Sequence, residues 1–155
     1  MKKTSIGIRV TPHVSYYCVS SVNEHEDINI DIIDELIVPK SLSFPEQLKF
    51  LRNTFLDILS ESKITVACLR ITEHIASSDE RRVGIEAVIQ ELFASSEIKS
   101  YYTGAISSIA SKLGIATDQF KPAVAGEDIL GIEDWKTFSK ETREAILASI
   151  SALKL

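Results

Sequence analysis

Residues 63–72, KITVACLRIT, make an apolar run bracketed in sequence by two stretches of helical periodicity. Such a run reads as a buried central strand, because β-branched and small apolar side chains suit a sheet covered on both faces. It places one charge, Arg70, near its C-terminal end. Residues 5–10, SIGIRV, repeat the arrangement with Arg9. Two buried strands ending in cations therefore frame everything else the chain does.

The remaining elements follow from periodicity and punctuation. Thr11, Pro12 and His13 make a turn, and residues 15–22 (SYYCVSSV), rich in strand formers, pair back as a hairpin. Residues 28–38 alternate until Ile33, where the broken pattern predicts a bulge or bend. Ser43-Phe44-Pro45-Glu46 has capping-box spacing, and Leu48, Leu51, Phe55, Ile58 and Leu59 recur at helical spacing, so a helix is expected over 44–61. Ser77-Ser78-Asp79-Glu80 repeats the capping pattern before a second helix reaching about residue 94. A fifth strand is expected over 98–102, then a short helix ended by Gly114. Residues 116–138 carry Pro122 and mixed acidic and glycine positions, and one short helix over 124–130 is expected there. A terminal helix is expected over 139–153 with Leu147, Ile150 and Leu153 inward. Early hairpins followed by crossovers give an α/β fold: a mixed five-stranded sheet, three antiparallel strands then αβαβα, flanked by helices.

With 155 residues and no linker or repeat, one domain over 1–155 is expected. No run approaches the roughly 20 apolar residues of a membrane span, and the N-terminus lacks an apolar signal core, so a cytoplasmic location and no membrane partner are expected. The net charge of −5 argues against a broad phosphate-binding surface while leaving room for a local basic patch. Cys18 and Cys68 sit in apolar strand runs and read as buried structural thiols on strands separated by another.

Ile6-Gly7-Ile8-Arg9, Val66-Ala67-Cys68-Leu69-Arg70, the helix over 82–93, Tyr101-Tyr102-Thr103-Gly104 leading into 106–114, and Glu141-Thr142-Arg143-Glu144-Ala145 together resemble the RNase H-like fold. Within it, they are similar to the RuvC/YqgF-type Holliday-junction resolvase branch. The resemblance implies a site in which an aspartate after the first strand, a glutamate ending the fourth, and two acids on the last helix hold two divalent metals. Here the first two positions are Arg9 and Arg70, while Glu141 and Glu144 match the acids of the last helix. Cations repel Mg²⁺ or Mn²⁺, so the resemblance implies a degenerate centre with no catalytic residue, no metal ligand and no cofactor.

Three readings of these residues stay open at this point. Arg9 and Arg70 are either charged strand ends reaching solvent, or partners of Glu141 and Glu144 in a salt-bridged relic, or bystanders to a displaced site using Glu73 or Glu86. His13, His25 and His74 show no metal-ligand spacing, and no phosphate-binding glycine loop or nucleophile elbow is present. The Tyr16–Tyr17 and Tyr101–Tyr102 pairs each place one ring inward and one outward by strand alternation.

The function expected first is a non-catalytic, resolvase-like protein-interaction or assembly subunit whose partner is another protein or a second copy; the resemblance implies a homodimer. Work beside a nucleic-acid enzyme, as in a bacterial defence or mobile-element system, rests on the fold alone. The alternatives are structure-selective nucleic-acid binding through Arg9, Arg70, Arg81 and Arg82, and a residual Mg²⁺- or Mn²⁺-dependent nuclease using Glu141 and Glu144.

Overall fold

The computed structural model describes residues 2–72 and 79–155. The described elements are β1 (Lys3–Val10), β2 (Val14–Val22), β3 (Ile28–Ile37), α1 (Phe44–Glu61), β4 (Val66–Arg70), α2 (Glu80–Ser95), β5 (Ser100–Gly104), α3 (Ile106–Leu113), α4 (Thr117–Val124) and α5 (Lys140–Ala152), with a 3-10 turn at Trp135–Thr137. The strands form one sheet in the order β3-β2-β1-β4-β5. β1, β2 and β3 pair antiparallel, while β4 and β5 join β1 in parallel through helical crossovers. This is the mixed five-stranded sheet that the sequence predicts.

Strand alternation sends side chains into two separate cores. Ile6, Ile8, Val19, Ala67 and Leu69 meet Leu51 and Phe55 of α1 and Ile85 and Ile89 of α2 on one face. Cys18 and Cys68 meet Ala145, Ala148 and Phe120 on the other. Both cysteines lie opposite Gly7, Cys18 across the antiparallel pair and Cys68 across the parallel one. The three small residues make a shallow row in the sheet, and α5 drops into it. A Cβ on Gly7 would run into the backbone nitrogen of Ser149 and the carbonyl oxygen of Ala145. A strand-interior glycine that marks close backbone approach is performing its usual role here. α5 is therefore buried on every side from Arg143 to Ala152, rather than along a single stripe.

Burying a helix against strands also buries its hydroxyls, which pair with each other. Ser149 Oγ lies 2.9 Å from Ser5 Oγ and 2.6 Å from Ser20 Oγ. Ser151 Oγ meets the Tyr102 hydroxyl at 2.5 Å. The two buried hydroxyls of α5 thus find partners, as low-dielectric surroundings favour, whereas Ser15 Oγ and Ser21 Oγ on β2 are buried with none among the described residues.

Several local expectations shift. The bulge falls opposite Val19 and Ser20, where Ile32 and Ile30 pair, so Asp31 is the extra residue and the bend comes earlier than Ile33. Past it, Ile33 returns to the same core as Ile30. The N-cap of α2 is Asp79, whose side chain accepts from Arg82 N at 2.9 Å; Ser77 and Ser78 lie outside the described residues. β5 begins at Ser100, two residues later than its apolar start suggests. The short helix expected over 124–130 instead occupies Thr117–Val124, with Pro122 inside it. It is held by burial of Phe120, Ala123 and Val124, and by Trp135 Nε1 donating to the Ala123 carbonyl at 2.9 Å. Among the described residues no helix is long and apolar enough to cross a membrane.

Candidate functional site

The site forms where β1 and β4 end beneath the first turns of α5. On β1, residues two apart share a face, so Arg9 points the same way as Gly7, toward α5. The parallel register pairs Arg9 directly with Arg70. With Ala145 and Ser149 seated over Gly7, the preceding residue, Glu144, stands over the two arginines. Its Oε2 forms an ion pair with Arg9 Nε and lies 3.7 Å from Arg70 Nε. Arg70 is 4% exposed and Glu144 5%. Arg70 also donates through Nη1 to the Gly104 carbonyl at 3.5 Å, and its guanidinium lies 5.4 Å from the centre of the Phe120 ring.

Of the open readings, the described residues therefore show a buried Arg–Glu–Arg cluster rather than strand ends reaching solvent. Of the two carboxylates on α5, Glu144 serves it and Glu141 does not. Glu141 lies a turn earlier, in the first turn of α5, and joins no ion pair among the described residues. Tyr16 feels its charge: burial raises the phenol above its ordinary value, and Glu141 and then Glu35 add to the rise.

Burial also holds Arg9 below its ordinary value, with Arg70 and Arg82 adding to the effect and Glu144 and Glu86 opposing it. Glu86, on α2, is pushed up by burial, against the pull of Arg82, Arg9 and Arg70. Its Oε1 lies 3.7 Å from Arg82 Nε. Glu86 thus borders the arginine cluster, and Glu73, the other residue of the displaced-site reading, lies outside the described residues, as does His74.

Arg9, Arg70 and Glu144 form the floor of an open cleft of ≈ 470 Å³, to which α4 contributes Phe120 and Lys121 and α5 contributes Lys140. Arg81 and Arg82 are not part of it. Arg81 donates through Nε to the Pro12 carbonyl at 2.7 Å, hydrogen-bonds Gln47 and stacks on Phe44 at 4.8 Å, locking the β1–β2 turn to α1 and α2. Lys121 and Lys140 carried no sequence signal of their own, apart from Lys140 lying one helical turn before Glu144.

Arg143 has a different task. It is 9% exposed and donates to the carbonyls of Trp135, Val124 and Lys136 at 3.0, 2.8 and 2.9 Å. It ties α4, the 3-10 turn and α5 together beside the cleft, and neither charge pattern nor periodicity announces that role.

Among the described residues the donor set beside Arg9 and Arg70 does not suit a divalent metal. A guanidinium has five donors and no acceptor, and Glu144, the carboxylate between the arginines, is engaged by two cations. Among the described residues no group of three or more His, Cys, Asp or Glu side chains could hold a metal ion.

No protein-family model matches the sequence, and no curated protein matches it. Solved structures do. The structure of Thermus thermophilus RuvC superposes with a TM-score of 0.74 at 11% identity, over 96% of this chain and 92% of that one. RuvC from the same organism in complex with Holliday junction substrate gives 0.68 at 10% identity, over 96% and 91%. The yeast mitochondrial Holliday junction resolvase gives 0.61 at 14% identity, over 97% of this chain and 77% of that one. The fold is RuvC-like. It is the RNase H-like architecture that the strand-end residues and the last helix resemble in sequence, at identities that speak for the fold alone.

Proposed function

We propose that this chain is a non-catalytic RNase H-like module that works by binding an anionic strand at the Arg9–Arg70 cleft. The observation that carries this reading is Glu144 buried between the two arginines. Metal-assisted strand cleavage clamps the attacking and leaving oxygens with cations held by carboxylates. In a RuvC-like fold, the resemblance places two of those carboxylates where Arg9 and Arg70 stand. Fixed guanidinium groups there attract a phosphate themselves and repel the metal that hydrolysis needs. One of the similar structures is RuvC bound to a Holliday junction substrate, which supports nucleic acid as the ligand class.

The experiment incubates the protein with four-way-junction, duplex and single-stranded DNA and matching RNA, in EDTA or Mn²⁺, reading anisotropy and a denaturing gel. The expected result is binding with every strand intact in both buffers. Mn²⁺-dependent cleavage that disappears in the Glu141→Ala, Glu144→Ala double variant replaces this reading with a residual nuclease.

A protein partner is the second reading, and the outer edge of β3 favours it. This strand closes one side of the sheet and leaves Ile28, Ile32 and Ile37 exposed, Ile37 by 64%. An unpaired edge with apolar side chains is a template for another strand. Sedimentation of the pure protein tests self-association, and co-purification tests a different chain.

A further inference from the structure

Among the described residues the cleft gathers several cations, two of them exposed lysines. Among the described residues, Arg9, Arg70, Lys121 and Lys140 line it against Glu144 alone. Arg82 and Glu86 stand nearby and offset each other. The chain as a whole carries a net charge of −5, so this concentration of cations runs against its composition. Lys121 and Lys140 are exposed on the rim, while the arginines are held from below by Glu144 and by the face of Phe120. Arg9 Nη1 is buried and has no hydrogen-bond acceptor among the described residues. Its donor capacity is unspent among the described residues.

The size and walls of the cleft narrow the ligand. A volume of ≈ 470 Å³ is generous for a bare ion and suits a nucleotide-sized group. Phe120 and Val124 line its apolar side and are themselves almost fully buried. The acidic remainder of the chain disfavours a long phosphate track, because each further phosphate would meet repulsion instead of neutralisation.

We propose that this cleft seats one phosphoryl group of a nucleic-acid strand, held directly by Arg9, Arg70, Lys121 and Lys140 with no metal between protein and phosphate. This rests on the binding reading above and makes it specific. The phosphate comes either from a strand terminus, as a monoester, or from within a strand, as a diester.

Calorimetric titration of the full chain in EDTA tests it, with pyrophosphate, a 5′-phosphorylated tetranucleotide and the same tetranucleotide lacking the 5′-phosphate as probes. Salt is varied from about 50 to about 200 mM. The expected result is binding of the phosphorylated tetranucleotide with a log–log salt slope of about −0.7 to −1.4, the value for one seated phosphate carrying one or two charges on a single strand. Dependence on the 5′-phosphate identifies a terminal monoester, and indifference to it identifies an internal diester. Lys121→Gln with Lys140→Gln, both exposed and so compatible with the fold, is expected to weaken binding by about tenfold or more. Arg52→Gln, whose side chain pairs with Glu91 between α1 and α2, is expected to leave it unchanged. Absence of heat with every probe at low salt, unchanged affinity in the lysine double variant, or a slope of about −2 or steeper, as for neutralisation along the whole probe, overturns the proposal. Intact strands without heat overturn only the phosphate seat, whereas strand cleavage in Mn²⁺ overturns the binding reading beneath it.

Discussion

The Glu144 carboxylate on α5 is ion-paired to Arg9 at the end of β1, and Arg70 on β4 lies 3.7 Å away on its other side. A sheet strand and the helix covering it are thereby tied by charge at the point where they leave the core. Glu144 lies between two like charges in adjacent strands and offsets their repulsion.

Removing that carboxylate charge leaves two buried guanidinium groups facing each other. Glu144→Gln is expected to lower unfolding stability by about 3–5 kcal/mol. Glu141→Gln, which breaks no ion pair, is expected to cost no more than about 1 kcal/mol through the lost first-turn charge. Urea denaturation of both variants checks this, and equal losses would contradict the geometry.

Replacing the whole cluster separates stability from binding. Arg9→Met, Arg70→Met and Glu144→Leu together remove the Arg–Glu–Arg cluster, while Glu86 keeps Arg82 beside it. The triple variant is expected to match the parent or exceed it by about 1–4 kcal/mol, while strand binding is lost. A stable triple variant that still binds would move the ligand elsewhere.

Gly7→Ala is expected to be costly and Gly84→Ala close to neutral. Gly7→Ala drives a methyl into the backbone of α5 at Ser149 and Ala145, which cannot yield without moving the helix, and is expected to cost about 3 kcal/mol or more. At Gly84 the nearest atom to an added methyl is Phe44 Cζ at 3.1 Å, a ring edge that can give way. The gain of about 1 kcal/mol for alanine over glycine within a helix offsets that crowding. Thermal melts of the two variants decide it.

Arg143 is expected to resist conservative exchange. Its guanidinium serves carbonyls of Val124, Trp135 and Lys136 at once. A lysine presents one ammonium point and cannot span them. Both Arg143→Lys and Arg143→Ala are therefore expected to destabilise by about 2–4 kcal/mol, read by denaturation, and the lysine variant is expected to recover little.

The two thiols predict a loss of stability in alkali. Burial pushes Cys18 up to about 12 and Cys68 up to about 11, from an ordinary value of 9.0. Between 9 and those values the unfolded chain gives up thiol protons that the folded chain keeps. Stability from this source is whole below pH 9 and falls as pH rises through the folded values. Urea midpoints followed from about pH 8 to about pH 11 are expected to drop, with a shallower drop in Cys18→Ala, Cys68→Ala. Parallel curves would contradict the assignment.

The frame of the fold was legible because it rests on period. Apolar runs ending in Arg9 and Arg70, the capping box at Ser43 and the hairpin turn at Pro12 each carry a local signal that tertiary packing leaves intact. Glu144 was legible as one of two matching carboxylates, and only the seating of α5 over Gly7 separates it from Glu141. The region around α4 was misplaced because Pro122 reads as a break. In the structure the burial of Phe120 and Val124 outweighs the one backbone bond that proline forgoes. Lys121 and Lys140 were invisible because an exposed lysine looks alike everywhere until the fold shows what it faces.

The most direct test compares the affinity of a labelled single strand for the protein in EDTA and in Mn²⁺, with strand integrity checked at each end point. A cleft that holds phosphate through its own cations predicts the same dissociation constant in both buffers and intact strands throughout. Binding that appears only with Mn²⁺, or cleavage that vanishes in Glu144→Gln, would show that the site still works through metal and would contradict the account.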